Sequence, residues 1–215
     1  MSRPVVSHDH SCVTAKQIVE RADEADLRLV RFLWCGNDGT IRAKSSGRHG
    51  LEGRLQAGIG LTVAMQAMNG LDQLQPVEGM GPVGEVRLIP DLDTFRVLPY
   101  APNTGAVLTD HVGLDGQPAP VCQRTFLKRM EARLAERGLI MRASFENEFS
   151  LATRVGDELV PVDDSLCFST VGLTASQDYV DELLAALEGQ AIVVEQFYTE
   201  LGHGQQEIST AHAPA

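Results

Sequence analysis

The sequence predicts an α+β fold built from two successive modules. A helix, a hairpin and further strands are indicated before residue 113, and two helix-then-strand pairs follow. Both later strands end in carboxylates. A helix and several strands within about 110 residues form a compact mixed module. Since Asp115-Gly116-Gln117-Pro118 is a turn-forming boundary, we expect a disordered tail over 1–13, one domain over 14–113 and another over 117–215.

The composition is that of a globular protein with an acidic surface. Of 215 residues, 43% are hydrophobic and 22% charged, and the net charge is −11. This balance argues against nucleic acid or an anionic membrane as the main partner. Apolar runs fall short of the roughly 18 residues that span a bilayer, and the N-terminus lacks the apolar core of a signal peptide. Four cysteines without a CxxC pair indicate reduced thiols, so we expect a cytoplasmic protein.

Caps, periodicity and turns predict the elements of the first domain. Thr14 and Gln17 form a capping-box pattern, and Ile18 and Ala22 lie on the buried stripe of the helix that follows. Asn37-Asp38-Gly39 predicts a hairpin turn because Asp-Gly tolerates positive φ. Strands are expected over 27–34, 40–44, 84–91, 93–100 and 105–112, with a short helix over 49–56. The Gly- and Met-rich segment 58–84 is interpreted as a loop.

The second domain repeats a helix-then-strand pattern. Helix 122–137 ends at Gly138 and precedes a strand over 139–151. Helix 175–188 is expected to open with Thr174 and Gln177 as a capping box, and a strand over 190–200 follows it. Helical spacing predicts that both helices bury one apolar face, formed by Phe126, Leu127, Met130 and Leu134 in the first and by Val180, Leu183, Leu184 and Leu187 in the second.

Two glutamates share one face of the strand 139–151. Glu146 and Glu148 are two residues apart, so they point to one side while Phe145 and Phe149 point to the other. We expect the phenylalanine side to be buried. Like charges on one face persist only in water or beside cations. The alternative is a sheet with one solvated face, on which the paired glutamates bind nothing.

A second group of acids surrounds the segment Gly202-His203-Gly204. With a loop of about four residues, we expect Glu200 and Glu207 to oppose each other across a hairpin. Opposed carboxylates favour a bridging Mg²⁺ or Mn²⁺, because these ions prefer oxygen ligands. Glu195 cannot share a face with Glu200 in a regular strand, so it has a different role or lies past a bulge. Such metal sites commonly handle phosphoryl groups, although no Walker loop is present.

These motifs resemble the glutamine synthetase family. The resemblance lies in Phe145-Glu-Asn-Glu-Phe149 and in Glu200-Leu-Gly-His-Gly-Gln-Gln-Glu207, supported by the first hairpin and the strand near Asp91, and it covers about 27–209. It implies an N-terminal β-grasp domain followed by the first part of a catalytic α/β domain. It also implies homo-oligomers of stacked rings with active sites at subunit interfaces.

The resemblance also implies an activity and roles for individual residues. Glutamate, ATP and ammonium or another amine would be substrates, and glutamine biosynthesis would proceed through a γ-glutamyl phosphate with two or more Mg²⁺ or Mn²⁺ per site. Glu148, Glu200 and Glu207 would bind one metal and glutamate would lie beside it, while Glu146 would bind a second metal. Glu195 and Tyr198 would contact ATP, and Glu200 would act in catalysis by receiving the amine.

Two departures from the family pattern leave alternatives open. Asn69 stands where the family carries the aspartate that binds ammonium, and Phe168 stands near a family tyrosine. Both changes favour a γ-glutamyl ligase for a larger amine, such as a polyamine or ethanolamine. A non-catalytic structural relative is the other alternative. Because the chain ends at Ala215, before the family's remaining ligands, we expect the 215-residue chain alone to be inactive and to associate through uncovered apolar strands.

Overall fold

The computed structural model describes residues 13–214, which form two compact units. The first contains the described residues up to Val97 together with Ala101–Arg129. The second contains Leu98–Tyr100 and the described residues from Met130 onward. The tail predicted over 1–13 lies outside the described residues except for Val13. Within the described range the three cysteines are free, and no helix has the length and apolar character needed to cross a membrane.

A mixed sheet is the framework of the first unit. In chain order the unit contains α1 (Ala15–Glu24), β1 (Leu29–Cys35), β2 (Ile41–Gly47), α2 (Leu51–Ala57), β3 (Ile59–Thr62), β4 (Glu85–Pro90), β5 (Arg96–Val97) and β6 (Thr104–Gly113). The strand order is β2-β1-β6-β4-β3, and β5 also pairs with β6. β1 and β6 run parallel, whereas the other neighbours are antiparallel. The mixed α+β character that the sequence predicts is confirmed.

The predicted local signals of the first unit are present. The Thr14 hydroxyl accepts from the Gln17 amide, and the Gln17 side chain accepts in return from the Thr14 amide, which completes the capping box of α1. Gly39 has φ +83° in the β1–β2 turn. Ile18 and Ala22 are fully buried together with Phe32. Burial of a large apolar side chain contributes about 1.5–3 kcal/mol, so this cluster fixes α1 against the sheet.

The segment 58–84 and the strand predicted over 93–100 differ from expectation. β3 lies at the start of the first segment and pairs with β4, and a 3-10 helix follows at Val63–Ala67. In the second segment the strand is limited to Arg96–Val97, because Leu92–Thr94 forms a 3-10 turn before it. Thr94 holds that turn by donating its hydroxyl to the Asp91 carbonyl at 2.6 Å.

The second unit contains three small sheets and two helices. Helix α3 (Gln123–Ala135) leads into it from the first unit, and its own elements are β7 (Arg142–Ala143), β8 (Glu146–Ser150), β9 (Ala152–Val155), β10 (Glu158–Pro161), α4 (Thr170–Ala175), α5 (Gln177–Glu188), β11 (Val194–Thr199), β12 (Gln205–Thr210) and β13 (Ala213–Pro214). The β9–β10 hairpin turns at Gly156, whose φ is +63°, and sequence reasoning had not identified it.

The predicted capping box at Thr174 and Gln177 is wrong. Thr174 lies inside α4 and donates its hydroxyl to the Thr170 carbonyl at 2.8 Å. Ser169 caps α4 instead, accepting from the Val171 amide at 3.1 Å. Ser176 separates α4 from α5 with φ −112° and ψ 14°, so one predicted helix is two. The predicted end at Gly189 is confirmed.

The apolar faces predicted for α3 and α5 are only partly covered. Phe126 is 55% exposed and no residue of α3 is buried, while Val180 is the one buried residue of α5. Among the described residues of the second unit, the buried hydrophobic side chains are Leu98, Val180 and Ile208. Too few elements lie in this unit to cover the helical stripes that periodicity identified.

Candidate active site

One face of the sheet β11-β12-β8 is polar. The three strands are antiparallel, with Tyr198 opposite Glu207 and Glu207 opposite Glu148. Because alternate residues of a strand share a face, this register collects the polar side chains of three strands on one side. They are Gln196, Tyr198, Gln205, Glu207, Ser209, Glu146, Glu148 and Ser150.

The reverse face anchors the sheet. Ile208 and Gln206 are buried there, and Gln206 donates from Nε2 to the Ser176 hydroxyl at 2.6 Å. Phe149 is half-buried with its ring edge-to-face on Tyr179, at 5.9 Å between centroids. The predicted burial of Phe145 is wrong, because it precedes β8 and remains 69% exposed. The acidic face is therefore the open one.

Glu148 and Glu207 form the centre of the acidic face. They are direct cross-strand partners, a placement in which like charges destabilise a sheet. Glu207 is 7% exposed, and Glu148 is exposed. Each carboxylate accepts one neutral donor. Tyr198 Oη donates to Glu207 Oε1 at 2.5 Å, and Gln205 Nε2 donates to Glu148 Oε2 at 2.6 Å.

The contact with Glu207 changes the acidity of Tyr198. The hydrogen bond to this carboxylate raises the pKa of Tyr198 to about 12, and burial and the negative charge of Glu207 act in the same direction. Ionised Tyr198 would place a second negative charge against Glu207. The phenol therefore remains a neutral hydrogen-bond donor over the whole physiological range.

The predicted opposition of Glu200 and Glu207 is wrong. The Glu200 amide donates to the Gln205 carbonyl at 2.9 Å, so residues 201–204 form the hairpin loop and Glu200 pairs with Gln205. The four-residue loop is confirmed, but that length places Tyr198 opposite Glu207. In this conformation Glu200 Oε2 accepts from the Leu201 amide at 3.1 Å. Its carboxylate thus bonds to its own hairpin loop.

Glu146 and Glu195 lie to either side of the central pair. Glu146 shares the face with Glu148 and lies opposite Ser209. The register of β11 shifts at a bulge between Val194 and Gln196, and Glu195 lies in this bulge. A bulge was one of the two options that the sequence left open for Glu195. Glu195 lines a 460 Å³ cavity together with residues from the end of α5 and from β11, among them Leu184, Glu188, Ile192 and Phe197.

The acidic face matches a hard divalent cation in its donor chemistry. Mg²⁺ and Mn²⁺ prefer carboxylate oxygens to nitrogen and sulfur ligands. The like charges of Glu148 and Glu207 also need compensation. Within residues 13–214, however, no three acidic, histidine or cysteine side chains converge on one metal position. The described face thus supplies a pair of opposed ligands with Glu146 beside them.

Two residues that depart from the family pattern have defined local roles. Asn69 Oδ1 accepts from the backbone amides of Leu71 and Gln73, at 2.9 and 3.1 Å, and so closes a turn. Phe168 adopts φ +59°, and its ring lies edge-to-face on Tyr198 at 5.4 Å between centroids.

Comparison with known proteins gives the same assignment for both parts of the chain. The profile of the glutamine synthetase N-terminal domain matches residues 13–119, and that of the glutamine synthetase catalytic domain matches residues 120–215. The chain belongs to the glutamine synthetase family.

The relatives of this chain differ in the product that their names specify. A gamma-glutamylpolyamine synthetase of Streptomyces coelicolor is 33% identical over 71% of the chain and 34% of its own length. A glutamine synthetase of Mycobacterium bovis is 28% identical over 92% of the chain and 44% of its own length. A solved glutamine synthase homologue superposes with a TM-score of 0.77 at 29% identity, over 87% of the chain and 44% of that structure. The chain thus spans between a third and a half of these relatives.

The sequence identifies the acids of this chain, but it does not identify Gln205 and Tyr198 as their hydrogen-bond partners or the contact of Phe168 with Tyr198. Gln205 and Phe168 received no role in the acid pair, and Tyr198 was assigned only to ATP. Gln205 could have been identified from the four-residue hairpin loop, which places its side chain on the face of Glu207. Phe168 has no such signal, because its contact with Tyr198 depends on its left-handed backbone.

Proposed function

We propose that the protein containing this chain is an ATP-dependent ligase that joins ammonia or another amine to the γ-carboxylate of glutamate, serving glutamine biosynthesis and nitrogen metabolism. The observation that carries the proposal is the direct opposition of Glu148 and Glu207 within the catalytic-domain match. A sheet that retains two opposed carboxylates gives up stability unless a cation compensates them. Glutamate, ATP and the amine are the substrates of this reaction, and the protein acts in the cytoplasm.

The acids divide into two proposed metal positions. Glu148, Glu207 and Glu200 would hold one Mg²⁺ or Mn²⁺, and Glu146 would contribute to a second. Glu200 would have to leave the Leu201 amide to join the pair. The ions, when bound, neutralise negative charge on the γ-carboxylate of glutamate and on the phosphoryl group that is transferred.

The nucleotide is proposed to lie on the side of the β11 bulge. Glu195 lines the 460 Å³ cavity there, which has the size of a small-molecule pocket. Ile192 and Phe197 give it apolar walls, and Glu195 supplies an acceptor for a polar edge of the base. Tyr198, next along β11, is the second proposed ATP contact.

The proposed reaction has two steps. The γ-carboxylate oxygen of glutamate attacks the terminal phosphorus of ATP, ADP leaves, and a γ-glutamyl phosphate forms. Glu200 accepts a proton from the cationic amine, and the neutral nitrogen then attacks the acyl carbon. The carbon–oxygen bond to phosphate breaks, and the leaving phosphate takes up the second proton that the nitrogen loses. A carboxylate serves this purpose because it attracts the cationic amine and then takes its proton.

The first unit is proposed to be a β-grasp domain that closes the active site of a neighbouring subunit in stacked rings. Its mixed sheet, packed against α1, supports the β-grasp assignment. Asn69 belongs to this unit, and its uncharged amide cannot provide the negative charge that an ammonium ion requires. The identity of the amine is therefore tested with a panel that includes amines larger than ammonia.

The test is an assay of the gene product that contains this chain at its native length. Purified protein is supplied with Mg²⁺, ATP, glutamate and, in turn, ammonia, ethanolamine and putrescine, and the γ-glutamyl amide and phosphate are quantified. We expect equal amounts of the two products with at least one amine. Glu207→Gln removes a proposed ligand itself, so it should lower kcat/KM by at least the roughly 10–100-fold that loss of a ligand's hydrogen-bond partner typically costs. The control is Glu158→Gln, an exposed acid opposite Val155 on β9. If no γ-glutamyl amide forms with any of the three amines, the proposal is refuted.

A further inference from the structure

Glu207 is the more buried acid of the opposed pair, and its contact with Tyr198 is direct. The two residues are cross-strand partners on β12 and β11, and the phenol donates to Oε1 at 2.5 Å. At 7% exposure, Glu207 has little water to satisfy its oxygens. A buried carboxylate that lost this donor would pay a desolvation cost. The hydrogen bond therefore fixes both the position and the rotation of the carboxylate.

Phe168 adopts a backbone conformation that its own burial does not explain. Its φ of +59° is left-handed, which costs an ordinary L-residue roughly 1–2 kcal/mol. The side chain is 64% exposed, so no hydrophobic burial offsets this cost. The strained backbone is held by a hydrogen bond from the Phe168 amide to the Thr199 carbonyl at 3.2 Å. It directs the ring edge-to-face onto Tyr198, with an interplanar angle of 76°.

We propose that Tyr198 is a positioning residue that fixes the Glu207 carboxylate for cation binding, and that Phe168 holds the Tyr198 ring in the required place. The inference deepens the proposed ligase function and rests on it. Tyr198 occupies Oε1 and leaves Oε2 available for a cation. Strain that persists beside a functional group is expected where the surrounding structure uses it to position that group.

A neutral donor suits this purpose better than a charged one. An arginine or lysine opposite Glu207 would cancel the charge that attracts the cation, whereas a phenol orients the carboxylate and leaves its charge intact. Glu148 has the same arrangement, because its Oε2 accepts from the neutral amide of Gln205. Each acid of the pair thus carries one uncharged donor from a neighbouring position of the same sheet. Partners of this kind typically change metal affinity 10–100-fold when they are removed.

The test measures Mn²⁺ affinity of the native-length protein by electron paramagnetic resonance, without ATP or glutamate. Tyr198→Phe should raise the dissociation constant of the tightest site about 10–100-fold, and the melting temperature of the metal-free protein should also fall, because the buried Glu207 carboxylate loses its donor. Phe168→Gly should also raise the Mn²⁺ dissociation constant, although glycine relieves the strained backbone. The matched control is Tyr179→Phe, since Tyr179 packs on Phe149 and its raised pKa comes from burial. This control should leave the Mn²⁺ affinity unchanged.

A double-mutant cycle separates positioning from a general structural effect. In the Glu207→Gln background, Tyr198→Phe should cause no further loss of Mn²⁺ affinity, because its partner is already absent. An equal loss in both backgrounds, or an unchanged dissociation constant for Tyr198→Phe alone, would overturn the positioning role while leaving the ligase proposal intact. Absence of Mn²⁺ binding in the unaltered protein would instead overturn the ligase proposal and this inference with it.

Discussion

Glu148 and Glu207 occupy directly opposed positions on β8 and β12, and each accepts a hydrogen bond from a different uncharged side chain. Their mutual repulsion is a cost of the metal-free sheet. Opposed like charges destabilise a strand pair by about 0.2–1 kcal/mol. Glu148→Gln should therefore raise the free energy of unfolding of the metal-free protein by about 0.5 kcal/mol, as measured by urea denaturation in EDTA.

The same substitution should have the opposite effect when Mn²⁺ is present. The unaltered protein gains stability as the logarithm of 1 plus the ratio of the Mn²⁺ concentration to Kd, and Glu148→Gln should lose most of that gain because it binds the ion more weakly. Glu158→Gln on β10 is the control, because its strand partner is the uncharged Val155. If Mn²⁺ changes the unfolding free energy of Glu148→Gln and of Glu158→Gln by the same amount, a cation site between Glu148 and Glu207 is contradicted.

Gly204 is required at the end of the β11–β12 hairpin loop. Its φ is +65°, and a Cβ at this position would collide with the Leu151 carbonyl oxygen. Gly156 in the β9–β10 turn has nearly the same φ, +63°, but nothing lies within 4 Å of an added Cβ. Gly156→Ala should thus cost only the left-handed strain, about 1–2 kcal/mol. Gly204→Ala should cost more, about 3 kcal/mol, because it adds a backbone collision. Thermal unfolding of both variants measures the difference, and equal losses would contradict this explanation.

Asp38 contributes to stability in a pH-dependent way. Hydrogen bonds donated by Thr40, and then by Arg42, lower the pKa of Asp38 below its ordinary value of about 3.9. A lowered carboxyl pKa stabilises the fold above the ordinary value, and this contribution is lost as the pH falls through the lowered pKa. Asp38→Asn should therefore be less stable than the unaltered protein at pH 7, and the difference should shrink below about pH 4.

The control for Asp38 is the second acid that Arg42 contacts. Asp72 bonds to Arg42 at 2.7 Å, but its side chain is 72% exposed. Exposed ion pairs contribute about 0–1 kcal/mol. Asp72→Asn should consequently change the stability little at any pH. A pH profile for Asp38→Asn that runs parallel to that of the unaltered protein would refute the assignment.

Cys122 and Cys167 should differ in acidity. Burial opposes ionisation of Cys122, but hydrogen bonds from His111 and Thr125 outweigh it and lower the pKa of this thiol to about 6. Burial and the charge of Glu200 raise the pKa of Cys167. We expect thiolate absorbance at 240 nm to develop near pH 6 and to be lost in Cys122→Ser but retained in Cys167→Ser. Because the pKa of Cys122 is lowered, its stabilising contribution grows from about pH 6 toward pH 9 and is absent below pH 6.

Local signals in the sequence predicted local structure. The capping box at Thr14 and the turn at Gly39 each depend on a few adjacent residues, and both are present. Strand β3 was missed because Ile59–Thr62 becomes extended through its pairing with β4, more than twenty residues later in the chain. The apolar stripe of α3 was detected correctly as a pattern, but a pattern does not reveal whether another element covers it.

The candidate site also combines features that local sequence signals predict with features that depend on non-local packing. The acids were found from their two-residue spacing, which places Glu146 and Glu148 on one face of a strand. Which acid opposes which depends on the register between β8 and β12, strands separated by the β9–β10 hairpin, two helices and β11. That register is set by non-local packing, so the pairing of Glu148 with Glu207 could not be predicted. The contact of Phe168 with Tyr198 depends on a strained backbone for which the sequence has no signal.

Asn69 permits a direct test of amine preference. Its Oδ1 accepts from the amides of Leu71 and Gln73, and an aspartate oxygen would accept the same two hydrogen bonds. Only the bond from Asn69 Nδ2 to the Gln73 side chain at 3.2 Å would be lost. Asn69→Asp should therefore fold normally, with a change in unfolding free energy within about 0.5 kcal/mol, the range typical of surface substitutions.

If the charge at position 69 determines which amine the ligase accepts, Asn69→Asp should raise kcat/KM for ammonia relative to putrescine by about tenfold. An added attraction for ammonium of about 1.4 kcal/mol corresponds to that factor. The ratio of the two γ-glutamyl products formed in one mixture of ammonia and putrescine measures this preference without a correction for enzyme concentration. Asn69→Gln keeps the position uncharged and serves as the control. An unchanged product ratio in a well-folded Asn69→Asp protein would show that amine preference is determined by other residues.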